Sequence, residues 1–407
     1  MHFGPILRAL MHHKARFLLV TVEVALTLAI VVNCVNVMLD LRSLYVRDSG
    51  IDEENVLAIR TLPFAKEFES EDYVDEVRRA DLEHLRAVPG VEGAAAVHAV
   101  PLSGGGSATG RKPVDSELDP QTAPYFLVSD GIEDALGLEI VAGRRFELSD
   151  WEYEENEDGA AVNRNVILSQ AMADTLFPDG DALGQMIQSA GGEITNSIVG
   201  IARRIPNSWP SWREGLDRAL LFPGRPGTER RMNYVARVEP EALDSVFESV
   251  EDLMLAANPG RLITVETISE IKREEFTSQL AVVKMISAVI VLLVLVTSLG
   301  IVGLTSFTVA QRTRQIGTRR ALGATRGDIL RYFLVENWIV TGIGLVLGLG
   351  LALGLNYALV SFADAPKMPV GLLLGGVALL WGTGILAALA PAWRATRVAP
   401  EIATRTV

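Results

Sequence analysis

Six arginines crowd the stretch Gln311–Asn337, QRTRQIGTRRALGATRGDILRYFLVEN: Arg312, Arg314, Arg319, Arg320, Arg326 and Arg331 stand against Asp328 and Glu336 alone. An ordinary basic loop retained on the inner side of a membrane would by itself account for the arginines, but the pattern is more specific than a basic smear. Ile316, Leu322, Ile329, Leu330 and Phe333 supply apolar positions, and Gly317 and Gly323 are expected to interrupt the helix. Thr325 stands three residues before Asp328, a capping-box-like restart. Two short amphipathic pieces joined by a glycine break suit docking onto a cytoplasmic protein.

Reaction chemistry finds little support elsewhere. His2, His12, His13, His84 and His98 form no H-x-x-x-H or H-E-x-x-H pair, so neither a zinc site nor a Ser/His/Asp set can be assembled. Ser103–Gly110, SGGGSATG, lacks the Lys-Ser/Thr of a phosphate loop and reads as a connector. No G-x-x-x-x-G-K-[ST] occurs, so the chain is expected to bind no ATP and no cofactor of its own. ELSDWEYEENED, Glu147–Asp158, holds seven carboxylates but not at EF-hand spacing, and reads as a solvated acidic loop. The sole cysteine, Cys34, excludes disulfides within the chain.

The elements that position the arginine stretch are membrane spans. Hydrophobic residues make up 49% of the 407-residue chain while its net charge is −13, a combination that requires segregation. Four apolar segments provide it: Phe17–Leu39, Met285–Thr308, Trp338–Val360 and Val370–Ala390. Each runs to about 20 residues or more, enough to cross a hydrocarbon core about 30 Å thick. Residues 1–16 carry a net +3, residues 311–331 a net +5 and residues 394–407 a net +2, which leaves −23 for the rest. Basic flanks stay inside, so both termini and the central loop are expected in the cytoplasm and the acidic domain outside. The apolar run at Phe17 is too long for a signal-peptide core and reads as a retained anchor. Residues 1–16 form a basic flank that could lie on the inner surface as an amphipathic helix.

Between the first two spans the chain alternates helix and strand signals. Val74–Val91 has helical spacing and stops at Pro89-Gly90, and a strand follows from Glu92. Val162–Phe177 reads as a strand running into a helix; Ser197–Ile205, Met232–Glu239 and Leu262–Ile271 read as strands, and Glu241–Gly260 as an amphipathic helix. The two ends of the domain mirror one another. They are expected to pair into one subdomain, with residues of about 100–225 inserted as a second.

Within the spans, Gly344, Gly348, Gly350 and Gly354 recur at four-residue spacing, and Gly375, Gly376, Gly382 and Gly384 follow in the fourth span. Small faces let helices approach closely, either within the chain or across a dimer. Glu23, inside the first span, is either a functional intramembrane carboxylate or a residue snorkelling to the interface. Otherwise the spans read as almost purely apolar, which argues against a hydrophilic conduit.

One span, a large outer domain, three more spans and the Gln311–Asn337 loop together resemble the MacB/FtsX-type ABC transporter permeases. Leu389–Arg405, LAPAWRATRVAPEIATR, is similar to that family's closing pattern, here carried by Pro391, Arg394, Pro400 and Arg405. Tyr125–Phe146, Val166–Ile187 and Ile198–Ile205 resemble its periplasmic core domain. The resemblance implies an α-helical inner-membrane protein with four transmembrane helices and a large α+β periplasmic domain of two subdomains. Its parts would be residues 1–16 as flank, 17–41 as the first span, 42–280 as the core domain and 281–407 as the permease domain, with the coupling loop at 311–334. It further implies that a separate ATPase subunit docks at Ile316, Gly317, Arg319, Arg320, Ala321, Leu322, Gly323 and Ala324. Motion would pass to the outer domain by mechanotransmission, in a bacterial export or efflux system for a peptide, antibiotic or lipophilic molecule. Implied companions are a second copy or a sister permease and a periplasmic adaptor, with the bilayer as solvent and no nucleic acid. The alternative is a same-fold permease for lipoprotein extraction or for regulation of cell-wall hydrolases. Neither implies an enzymatic role for this chain.

Overall fold

A computed structural model describes residues 14–151, 154–155, 161–162, 165–192, 194–213, 215, 217–226, 231–363 and 365–398. The amphipathic reading of the N-terminal flank up to residue 13, residues 152–153 and 156–158 of the acidic segment, and the tail past Val398 lie outside the described residues. The chain divides into two units: Leu44–Ser278, and a membrane unit made of Met1–Ser43 with Gln279–Val407.

The membrane unit is built from the helices Lys14–Tyr45, Thr277–Gln311, Arg326–Ala363 and Val370–Thr396. All four are long and apolar enough to cross a bilayer, and each outruns the apolar segment that predicts it. A helix is the form hydrocarbon imposes, since every N–H and C=O must bond within its own segment. Val20, Val24, Leu28 and Val32 of the first helix share a core with Ile301, Val340, Leu345, Leu380 and Ala388 from the other three. Met285, Val291, Leu292, Leu295 and Leu299 of the second helix point outward, as lipid-facing residues do.

Polar side chains stitch this bundle. Thr27 and Thr297 share a hydroxyl–hydroxyl hydrogen bond of 2.8 Å. Asn33 donates to the carbonyls of Ala29 and Ala352 at 2.8 and 3.1 Å. Asn36 donates to Pro366 at 2.8 Å, and Asn337 to Gly384 at 2.9 Å. The spans are thus less apolar in effect than their composition suggests. The Thr27–Thr297, Asn33–Ala352 and Asn337–Gly384 bonds run from helix to helix, and Asn36 ties the first helix to the connector after the third, which is how polar side chains glue spans together.

In the extramembrane unit, four strands form an antiparallel stretch in the order Val91–Val97, Met232–Val238, Val56–Pro63, Arg261–Thr267. Alternation along Val56–Ile59 divides two cores. Leu57 and Ile59 face Val74, Leu82, Val246 and Met254 from the helices Glu71–Ala87 and Leu243–Ala257, whereas Val56 and Ala58 join the core around Phe126, Ile132 and Ile268. Six further strands close a ring: Ser107–Pro113 pairs Gln121–Val128, then come Leu220–Pro223, Asn165–Ser169, Thr195–Ala202 and Met186–Ser189, which returns to the first. Ala123, Val166, Leu168, Ile187, Ile198, Leu220 and Phe222 of this ring share one core with Met172 and Leu176 from the helix Gln170–Leu176. The pair Val97↔Val128 joins ring to stretch.

Two local expectations need correction. The glycine-rich connector is loop only to Gly106; from Ser107 it is a strand, because Ala108, Thr109 and Gly110 lie in ladder register with Pro124, Ala123 and Thr122. Backbone pairing, which needs no side-chain pattern, decides there. The strand expected over Leu262–Ile271 stops at Thr267. Thr267 Oγ1 accepts from the Glu270 N–H at 3.1 Å and Glu270 answers the Thr267 N–H at 3.2 Å, a capping box that opens the helix Ile268–Glu275.

Candidate functional site

The loop between the second and third spans is a short helix, a tight reversal and a capped restart. The helix Thr313–Ala321 ends where the Gly323 and Ala324 N–H groups bond the carbonyls of Arg320 and Arg319 at 3.1 and 3.0 Å. Gly323 holds φ +99, a left-handed conformation that glycine adopts without a Cβ clash. Thr325 then caps the third helix. Its N–H and hydroxyl both donate to Asp328 Oδ2, at 2.9 and 2.6 Å, while the Asp328 N–H donates to Thr325 Oγ1 at 3.2 Å. Thr325's two bonds hold the Asp328 carboxylate beside the first turn, where the helix dipole also favours it.

One of the two expected glycine interruptions is absent. Gly317 is buried within the unbroken helix Thr313–Ala321. Glycine weakens a helix but ends one only where the backbone turns left-handed, and only Gly323 does so here.

The eight residues expected at a partner surface divide sharply. Ile316, 4% exposed, packs with Ile329, Phe333, Ala392 and Ala395 in a small core, and Ala324 lies half-buried against it. Arg319 lays its guanidinium over the Tyr332 ring at 4.9 Å. Arg320 Nη1 donates to the carbonyls of Thr396 and Val398 at 3.1 and 2.8 Å, satisfying the orphan end of the fourth helix. Ala321, Leu322 and Gly323 are left in solvent, Leu322 at 83% exposure. Arg314, Arg326 and Arg331 are exposed as well.

Sequence reasoning missed the strongest contact at this site. Arg312 Nη1 reaches both oxygens of Glu336 at 3.1 and 3.0 Å and the Tyr332 hydroxyl at 3.0 Å. The paired side chains are only 15% and 10% exposed. Glu336, a lone carboxylate bordering an apolar run, was the available signal, since such a group demands a cation.

The other singled-out residues are also placed. Glu23, on the first helix, is half-buried against the second: a Cβ added at Gly300 would come within 2.5 Å of its Oε2. Gly344 and Gly348 lie against the first helix, where an added Cβ would come within 3.0 Å of the Thr21 oxygen and within 3.0 Å of the Ala25 Cα and oxygen, respectively. Gly350 and Gly354 have open space beside them. In the extramembrane unit, Asp150 of the acidic segment is enclosed rather than solvated. It accepts from Arg144 at 2.6 and 3.0 Å, from the Glu147 N–H at 2.7 Å and from Asn165 at 2.6 Å. Burial alone would push its carboxyl up; these donors outweigh it and hold the group below the usual aspartate range. Among the described residues, no group of three or more His, Cys, Asp or Glu side chains gathers where a metal ion could be held.

Four bilayer-length helices, with one α+β unit inserted after the first and an arginine-fastened loop after the second, define a polytopic membrane protein with a large extramembrane domain. Residues 18–281 match the MacB-like periplasmic core domain and residues 287–400 the FtsX-like permease C-terminal domain. The chain belongs to the MacB/FtsX-type family of ABC transporter permeases. It is similar to the macrolide export ATP-binding/permease protein MacB of Azoarcus sp. (strain BH72), 26% identical over 61% of this chain and 38% of that one. The uncharacterized ABC transporter permease YknZ of Bacillus subtilis (strain 168) is 26% identical over 68% of each. The match therefore spans about two fifths of the macrolide exporter's length. Among solved structures, the extracellular domain of the transporter YknZ from Gram-positive bacteria covers 51% of the chain at 16% identity and a TM-score of 0.33. The periplasmic region of MacB from Actinobacillus actinomycetemcomitans covers 56% at 13% identity and 0.36. The family assignment rests on the two domain matches, not on these.

Proposed function

We propose that this chain is the transmembrane permease subunit of an ABC transporter and that a separate ATPase subunit docks on its central loop from the cytoplasm. The observation that carries this reading is the loop itself. Its apex, Ala321–Gly323, presents an almost fully exposed leucine, while the helix behind it is tied by side chains to the third and fourth spans. On this reading the exposed leucine, carried on a helix fastened to two spans, is the knob that the ATPase subunit receives. ATP is bound and hydrolysed by the partner, and this chain contributes no catalytic residue or cofactor. The docked loop drives the spans, and the spans drive the periplasmic domain, so work is done on a substrate outside. Of the peptide, antibiotic or lipophilic substrates considered, the names of the macrolide-export relatives favour an antibiotic. The uncovered Gly350 and Gly354 suit a second copy or sister permease, and a periplasmic adaptor completes the assembly. Both termini lie in the cytoplasm, as the basic flanks require.

Affinity purification of the chain from its native membranes in mild detergent, with mass spectrometry of what accompanies it, tests the reading. Recovery of an ATP-binding-cassette subunit is expected. Its absence, repeated after gentle cross-linking, would overturn the proposal.

A further inference from the structure

Three arginines of the loop region reach back into the bundle instead of out toward a partner. Arg312 continues the last turn of the second helix, its N–H bonded to the Thr308 carbonyl at 3.1 Å. Its guanidinium lands on Tyr332 and Glu336 of the third helix. Arg319, on the short helix, covers the ring of that same Tyr332. Arg320, its neighbour, bonds the end of the fourth helix. Tyr332 is therefore shared: its ring belongs to the short helix and its hydroxyl to the end of the second span.

We infer that Arg312, Glu336 and Tyr332 form the joint through which displacement of the loop is passed to the second and third spans. On this assignment they are positioning residues and contribute nothing to the surface that holds the ATPase. The inference rests on the docking reading given above. The physical case has two parts. A largely buried pair resists separation, because parting it leaves a charge uncompensated in a poorly solvated place. The Arg312 guanidinium moreover spreads one cation over three acceptor atoms on successive turns of one helix, so a tilt of the third helix carries the end of the second with it. A shove on Leu322 moves the short helix, Arg319 moves the Tyr332 ring, and Arg312 follows.

The test separates holding from transmitting. The ATP-binding subunit recovered with the wild-type chain is reconstituted in proteoliposomes with each full-length variant, and both its co-purification and its ATPase rate are measured. Arg312→Gln and Glu336→Gln are expected to retain the subunit at the wild-type level while lowering the stimulation of its ATPase rate at least tenfold. The charge-swapped double variant Arg312→Glu/Glu336→Arg restores a large part of that stimulation, which a merely disrupted fold would not. Tyr332→Phe removes one hydroxyl and keeps the ring under Arg319, so it is tolerated by the fold; a several-fold loss of stimulation with full retention is expected. Leu322→Asp, by contrast, loses the subunit itself. Loss of retention in the Arg312 or Glu336 variants would place the pair in the docking surface and overturn the inference. Rates identical across all forms, wild type included, would overturn it also. If the wild-type chain recovers no ATP-binding subunit at all, the docking reading fails first, and the joint with it.

Discussion

Arg320 ends its side chain on the carbonyl oxygens of Thr396 and Val398, 3.1 and 2.8 Å away, so the loop between the second and third helices caps the fourth. A cation at a helix C-terminus satisfies carbonyls that have no partner within the helix and complements their dipole. Residues 76 and 78 positions apart are thereby bound into one body with the small core of Ile316, Ile329, Phe333, Ala392 and Ala395.

Docking should depend on the apex and not on this clamp. Leu322→Asp is expected to reduce co-purification of the ATPase subunit at least tenfold, whereas Arg320→Gln should leave it within about twofold and lower the thermal stability of the detergent-solubilised chain instead. Losing one charged hydrogen-bond donor of this kind costs about 1.5–3 kcal/mol. Pulldown and a thermal-shift assay on both variants read the two effects; equal losses of retention would contradict the division.

The two glycine pairs of the third span should respond oppositely. Gly348→Val drives a side chain into the Ala25 backbone and is expected to cost about 1–3 kcal/mol, as overpacking does. Gly354→Ala meets open space and should be neutral or slightly stabilising in a monomer. Melting curves of the two variants in detergent discriminate, and a change of oligomeric state with Gly354→Leu would show that a partner helix covers that face.

In the extramembrane domain, the Asp81 carboxylate is bonded by Arg261 through both oxygens and by the Tyr234 hydroxyl at 2.6 Å, with all three side chains buried. The cluster pins the helix Glu71–Ala87 to two strands. Asp81→Ala is expected to destabilise the domain by about 3–5 kcal/mol, since it strands a guanidinium in the core. Removing both charges with Asp81→Leu/Arg261→Met should cost markedly less. Chemical denaturation followed by hydrogen exchange of the strand Met232–Val238 provides the measurement.

A pH dependence follows from His98. Its ring stacks on Tyr125 at 5.3 Å, its Nδ1 accepts the Leu127 N–H at 3.0 Å, and burial pushes its pKa below the ordinary imidazole value. The folded domain therefore keeps His98 neutral at pH values where the unfolded chain protonates it, below about 6.5. The unfolded state then binds more protons, so stability falls as the pH drops through that window and is unaffected above it. Hydrogen exchange at Leu127, corrected for intrinsic rates, should lose protection between pH 7.5 and 5.5. His98→Phe should abolish the difference; a difference that persists would assign it to another group.

Sequence alone determined the parts whose cause is local or compositional. Four apolar runs must be helices in hydrocarbon, the capping pattern of Thr325 and Asp328 restarts one of them, and Gly323 permits the left-handed turn between. The glycine spacing of the third span was legible too, but not its meaning. Gly344 and Gly348 face the first helix while Gly350 and Gly354 face outward, and spacing carries no record of which neighbour a face meets. Likewise the arginine density was plain, yet only the tertiary structure decided where each guanidinium goes. Arg319 and Arg320 are adjacent in sequence but point about 100° apart on a helix, which sends one to Tyr332 on the third span and the other to the end of the fourth. The Arg312–Glu336 pair bridges 24 positions, and a contact of that kind exists only once two helices pack side by side.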